Sequence, residues 1–205
     1  MKLFESRSPN ARRVNIFLME KGVDVEREQV DIQAGENLKA EHLARNPTGR
    51  VPVLELDSGE HLAESVAICR YLEGLHPQPN LFGTNAEEMA FVEMWNRRAE
   101  HNYFLEVTSA LRNIAGFFKD REQPVAEWGE QCAQRAQANL EFFDARLRTN
   151  DYLALNRFTV ADITFGVALD FTAFVRKHTG KALEFPAAVA RYQARLRERP
   201  AWRAQ

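Results

Sequence analysis

Three short stretches hold the residue types that could do chemistry. In Ser8-Pro9-Asn10-Ala11-Arg12-Arg13-Val14 a serine and a proline stand at the head of a helical run. Ser8 fits the N-cap and Pro9 the first helical position, the favoured local grammar. The same geometry offers a second use. A hydroxyl at the positive end of a helix can donate to a thiolate and bring that thiol's pKa from about 8.5 toward neutrality. Glu64-Ser65 falls where a strand gives way to a helix. With Ser65 as N-cap, the helix start favours a carboxylate and Glu64 can hold an ammonium, which together suit the amino-acid end of a small zwitterion. Plain capping, with Glu64 as a surface acid, accounts for the same two residues. Val51-Pro52 is the third stretch. A cis bond there turns the Val51 N–H and C=O outward as a template for an extended peptide; a trans proline at an edge strand is the other reading.

Other reactive types are scattered. The histidines at 42, 61, 76, 101 and 178 lack a second His or Cys at ligand spacing, so no protein-held metal is expected. Cys69 and Cys132 lie among apolar neighbours in helical stretches and read as buried free thiols.

The elements that must position these groups fall into two unlike halves. In the first, Leu3-Phe4 and Val25–Ile32 are extended, Pro9–Lys21 is a helix stopped by Gly22, and Leu38–Arg45 is a short helix ended by Asn46-Pro47-Thr48-Gly49. Val51–Leu56 reads as a strand, Asp57-Ser58-Gly59 as a hairpin turn with Glu60–Leu62 returning, and Ser65 to about Glu73 as a helix. The order βαβαββα makes a small α/β domain with a mixed sheet over residues 1–76. His76-Pro77-Gln78-Pro79-Asn80 opens a linker over 77–85. From 86 to 205 the pattern is all helical, in stretches 86–119, 125–149, 159–176 and 186–199. Within it Thr159 is set to cap a helix, with Asp162 closing a capping box and Phe158 and Ile163 forming a hydrophobic staple.

Composition fits this picture. The chain has 205 residues, and its 27 basic and 29 acidic side chains leave a charge of −2, which gives no general drive toward nucleic acid or anionic lipid. No apolar run approaches the roughly 18 residues of a membrane span, and the N-terminus lacks a signal peptide's apolar region, so a cytoplasmic protein is expected.

In this order and spacing the chain resembles a cytosolic glutathione transferase, a thioredoxin-like domain followed by an all-helical one. The stretches that carry the likeness are Asn46-Pro47-Thr48-Gly49-Arg50-Val51-Pro52-Val53-Leu54, then Leu62-Ala63-Glu64-Ser65-Val66-Ala67-Ile68 with Tyr71-Leu72, and the Thr159-Val160-Ala161-Asp162 box. The resemblance implies a cis Pro52, with Val51 as backbone partner of the glutathione cysteine. It implies that Glu64 and Ser65 grip the γ-glutamyl end, and that Asn37, Lys39 and Arg50 contact the glycine end. Ser8 occupies the position of the thiol-activating serine in plant-type, theta-like and zeta-like relatives. The absence of Cys at 8 and 10 sets the chain apart from branches that form disulfides with glutathione. The wording around Ser8 also resembles a bacterial and fungal branch in which a group on the first long helix of the second domain activates the thiol through water. His101, near Asn102, Thr108 and Ser109, is the reserve candidate there.

The implied reaction is attack by the glutathione thiolate on a small apolar electrophile, as in detoxification. Asn10, Phe104 and Thr108 would line the electrophile site, carried by the helical domain between 86 and 205. Glutathione would act as co-substrate without metal, membrane or nucleic acid, in a homodimer. Two other readings stay open: an isomerase, dehalogenase or peroxidase using glutathione on the same frame, and a non-catalytic interaction protein.

Overall fold

A computed structural model describes residues 1–203. Strand β1 (Lys2–Glu5) buries Leu3 on one face and Phe4 on the other, as a central strand must. Helix α1 (Pro9–Lys21) follows and stops at Gly22, whose φ of 64° is left-handed. Strand β2 (Glu26–Gln29), the charged sequence Glu-Arg-Glu-Gln, runs parallel to β1 at the sheet edge, where charge discourages further pairing. A 3₁₀ turn and α2 (Ala40–Arg45) lead to β3 (Val53–Glu55), which pairs antiparallel with β1, and β4 (His61–Ala63) pairs antiparallel with β3. Helix α3 (Ser65–Leu75) completes the βαβαββα order, with the sheet in the order β2-β1-β3-β4.

Several bounds differ from expectation: the extended segment expected over Val25–Ile32 is a strand only over Glu26–Gln29, and the helix expected over Leu38–Arg45 is Ala40–Arg45. The strand expected over Val51–Leu56 is only Val53–Glu55, and the Val51–Pro52 bond ahead of it is cis. The α3 cap is Glu64, not Ser65, and Ser65 is the first helical residue.

The chain forms two compact units, one of Met1–Leu81 together with the segment from Pro200, the other Phe82–Arg199. In the first, the buried Lys21 ammonium meets Glu73 at 2.5 Å and also donates to the Pro79 carbonyl. Glu73 accepts in turn from Asn80 Nδ2 and the Leu81 N–H, so the proline-rich segment is fastened to α1 and α3. The terminal 3₁₀ turn Pro200–Arg203 buries Trp202, whose carbonyl accepts from Arg12.

The second unit contains α4 (Ala86–Ala99), a π turn over Glu100–Phe104, α5 (Leu105–Ile114), α6 (Ala126–Leu147), α7 (Val160–Thr179) and α8 (Ala187–Glu198). The helix expected over 86–119 ends at Ile114. Gly116, at φ 59°, turns the chain there. α5 and α6 approach so closely that a Cβ on Gly129 would lie 2.7 Å from Ile114. The core stacks Phe143 on Phe165 at 4.1 Å, with Tyr103 edge-on to Phe165 at 5.3 Å. The capping box of α7 forms as expected. Asp162 takes four donors: the N–H groups of Thr159 and Leu153, the Thr159 hydroxyl and the Tyr192 hydroxyl, all within 3.0 Å.

Candidate functional site

The sheet register brings the three chemical stretches to one end. β1 ends at Glu5, β3 starts at Val53 opposite Phe4, and β4 ends at Ala63 opposite Val53. One pair further along, Pro52 comes level with Glu64 and with the end of β1. Val51 lies on the same side as Phe4, Val30 and Val53, against which it packs.

Ser8 does cap α1. Its Oγ accepts from the Ala11 N–H at 3.3 Å, a long bond, and the residue is half-buried. The hydroxyl proton is not used by any protein acceptor among the described residues. Capping and donation therefore do not compete, because one uses the oxygen lone pair and the other the proton. Asn10, two residues into the helix, is exposed.

At the end of β4, Glu64 sits at φ 68°, a left-handed conformation that a Glu adopts only under constraint. The consequence is an exposed carboxylate at the mouth of α3. Ser65, 5% exposed, has its Oγ held at 2.9 Å by the Arg13 guanidinium, which is itself 1% exposed. Arg13 was missed from sequence. It lies on the buried side of α1 with Ala11, Val14 and Phe17, where a cation is the unexpected residue. Its charge also faces Cys69, but burial outweighs it and pushes that thiol up to about 12, so Cys69 is no nucleophile.

The candidates for the glycine end divide. Lys39 and Arg50 are exposed, Lys39 near Glu36 at 3.6 Å. Asn37 is buried and its amide donates to the Gly49 carbonyl at 2.6 Å, so it shapes the loop that carries Val51.

In the helical unit His101 is exposed on the π turn, an irregularity often found at functional sites. The Thr108 hydroxyl donates back to the carbonyls of Phe104 and Leu105. Phe104, expected as an apolar wall, is 3% exposed and belongs to the core, whereas its neighbour Leu105 is half exposed. Among the described residues no group of His, Cys, Asp and Glu is placed to hold a metal ion, and no helix is long and apolar enough to cross a membrane.

Comparison with known proteins gives consistent matches. The family model for the glutathione S-transferase N-terminal domain matches residues 7–75, and that for the C-terminal domain matches 111–200. Glutathione S-transferase 2 of Saccharomyces cerevisiae is 33% identical over 201 residues, covering 94% of this chain and 83% of that protein. Glutathione S-transferase F10 of Arabidopsis thaliana is 32% identical, covering 95% and 90%. Among solved structures, a Gtt2-class glutathione S-transferase of Vibrio parahaemolyticus superposes with a TM-score of 0.82 at 36% identity, covering 99% of this chain and 96% of that one.

Proposed function

The chain belongs to the glutathione S-transferase family and is a glutathione transferase, and from that premise we propose that Ser8 is the group that activates the glutathione thiol. The observation that carries this is the unused hydroxyl proton of Ser8 at the N-terminus of a thirteen-residue helix. Donation of that proton, together with the helix field, stabilises the thiolate over the thiol. A fall in thiol pKa from about 8.5 to about 6.5 raises the thiolate fraction at pH 7 from about 3% to about 75%. The gain is offset in part by the lower intrinsic reactivity of a less basic thiolate. Positioning must supply the rest of the acceleration.

In this reading Val51 pairs with the cysteinyl backbone, Ser65, whose Oγ accepts from Arg13, donates its hydroxyl proton to the γ-glutamyl carboxylate, and Glu64 holds its ammonium. Lys39 and Arg50 offer exposed cations for the glycine carboxylate. Asn10 is a candidate contact for the electrophile, and His101 is the reserve for thiol activation. The serine-type branch, a cytoplasmic location and a homodimer are parts of the same proposal. The large apolar side chains Met89 and Phe91 on α4 and Leu75 on α3 stand exposed, as a subunit interface requires. Sedimentation analysis tests the dimer.

The experiment for Ser8 is a titration of bound glutathione followed by thiolate ultraviolet absorbance against pH. The wild type and His101→Ala should show a bound thiol ionising at least one unit below free glutathione, and Ser8→Ala should lose that shift. Loss in His101→Ala alone would transfer the role to the helix. Binding with no shift in the wild type would remove thiol activation from the mechanism.

A further inference from the structure

The loop that carries Val51 is held from inside by three buried polar side chains. Asn37 Nδ2 donates to the Gly49 carbonyl, and two more donors converge on the next carbonyl, that of Arg50. These are Asn46 Nδ2 at 2.9 Å and His42 Nε2 at 3.1 Å. The Asn46 amide is oriented by its other end, where Oδ1 accepts from both the N–H and the hydroxyl of Thr48. A carbonyl only accepts, so His42 Nε2 carries the ring proton. Nδ1 is then left bare inside the fold, on a residue 2% exposed, with no hydrogen-bond partner. One donor would satisfy the Arg50 carbonyl. The second comes with an unpaired buried nitrogen, an arrangement folded proteins rarely keep without cause.

We infer that His42 and Asn46 are positioning residues for glutathione: by fixing the Arg50 carbonyl they aim the Val51 N–H at the bound cysteinyl residue. The reason is peptide geometry. The Arg50–Val51 bond is trans, and in a trans amide the C=O and N–H point in opposite directions. A carbonyl drawn toward His42 and Asn46 sends the Val51 N–H away from them. Gly49, one residue before Arg50, sits at φ 63° and turns the chain into this segment with little steric preference of its own, so the hydrogen bonds help fix its direction. Bonds to the carbonyl also polarise the amide and strengthen its N–H as a donor. The inference rests on the reading of Val51 as glutathione's main-chain partner.

Two substitutions test it. His42→Phe keeps a ring and loses the donor; His42→Gln restores an amide N–H at similar reach. With a chromogenic aryl halide as electrophile, H42F should raise the glutathione KM about tenfold, about 1.4 kcal/mol. The kcat at saturating glutathione and the electrophile's KM should not move, and H42Q should recover most of the loss. Nitrogen-15 spectra of the wild type should show His42 protonated at Nε2 and a Val51 amide signal that shifts when glutathione is added. A folded H42F with a glutathione KM within twofold of wild type overturns the inference. So does a loss that H42Q leaves in place, or one that falls equally on kcat. If H42F does not fold, the wild-type Val51 amide decides, and an unshifted signal overturns the inference. Ser65→Ala, run alongside, separates the two levels: weakened glutathione binding there with none in H42F leaves the site reading standing and removes this one. Failure of the wild type to bind glutathione in calorimetry removes both.

Discussion

Asp162 and His42 are both buried polar groups bonded to main chain, yet they serve opposite purposes. Asp162 collects four donors from Leu153, Thr159 and Tyr192, all inside the helical unit, and knits the start of α7 to the loop before it and to α8. His42, Asn37 and Asn46 face carbonyls of the loop that leads to Val51. Around Asp162 the hydrogen bonds close on themselves. In the α/β unit they leave a remainder: the Ser8 proton, the Glu64 carboxylate and the Val51 main chain. The Asp162 cluster spends its capacity on the fold and the cluster behind Val51 does not, and that distinction separates the two clusters.

The comparison can be broken by substitution. The largest effect should come from Asp162→Asn, which turns one acceptor into a donor facing donors. We expect about 2 kcal/mol of lost stability at pH 7.5 by urea unfolding. The loss should grow in acid. Burial pushes the Asp162 carboxyl up to about 6 from 3.8. A folded pKa above the unfolded one means that the native state holds the extra proton. That contribution is complete below about pH 4 and disappears as pH rises through about 6, on the order of 3 kcal/mol in all. The wild-type advantage over D162N should therefore be about 2 kcal/mol larger near pH 4 than at pH 7.5. Equal differences at the two pH values would show that burial does not govern this carboxyl.

Ser8→Ala should come next, with kcat/KM down by one to two orders of magnitude, about 1.4 to 2.8 kcal/mol, from the lost donor. Its cost in stability should be only about 1 kcal/mol, from the lost cap. A variant equally damaged in both would make Ser8 a folding residue like Asp162. Ser65→Ala leaves the buried Arg13 facing no hydroxyl, and should raise the glutathione KM about tenfold with a stability loss of about 1 kcal/mol. The smallest effect is the most telling. Glu64→Gly relieves a left-handed conformation and should stabilise the protein by about 0.5 to 1 kcal/mol while weakening glutathione binding. A calorimetric Tm that falls instead would mean that the Glu64 side chain supports the fold.

Much of this was legible in the chain. The βαβαββα order follows from punctuation by Gly22, Asn46-Pro47-Thr48-Gly49 and Asp57-Ser58-Gly59, and the α7 box from the Thr159–Asp162 spacing. Ser8, Val51-Pro52 and Glu64-Ser65 stood out because local geometry already gives them a task. The break in the 86–119 helix left no such mark. Glu100-His101-Asn102-Tyr103-Phe104 contains nothing that opposes an α-helix, and the π turn has its Asn102 carbonyl taken by Asn139 from α6, a tertiary bond. Arg13 and His42 were illegible for the same reason. Each is explained by one partner, Ser65 or the Arg50 carbonyl, and periodicity cannot name a partner across the fold.

The Pro200–Arg203 turn has a consequence for how the molecule is made. Protein leaves the ribosome in sequence order, and domains usually fold in that order too. Here the α/β unit receives its last piece, with Trp202 buried and its carbonyl bonded to Arg12, only after the whole helical unit has been translated. The first unit to emerge is thus the last to be finished. A nascent chain stalled before residue 200 carries an α/β half whose α1 still lacks its cover.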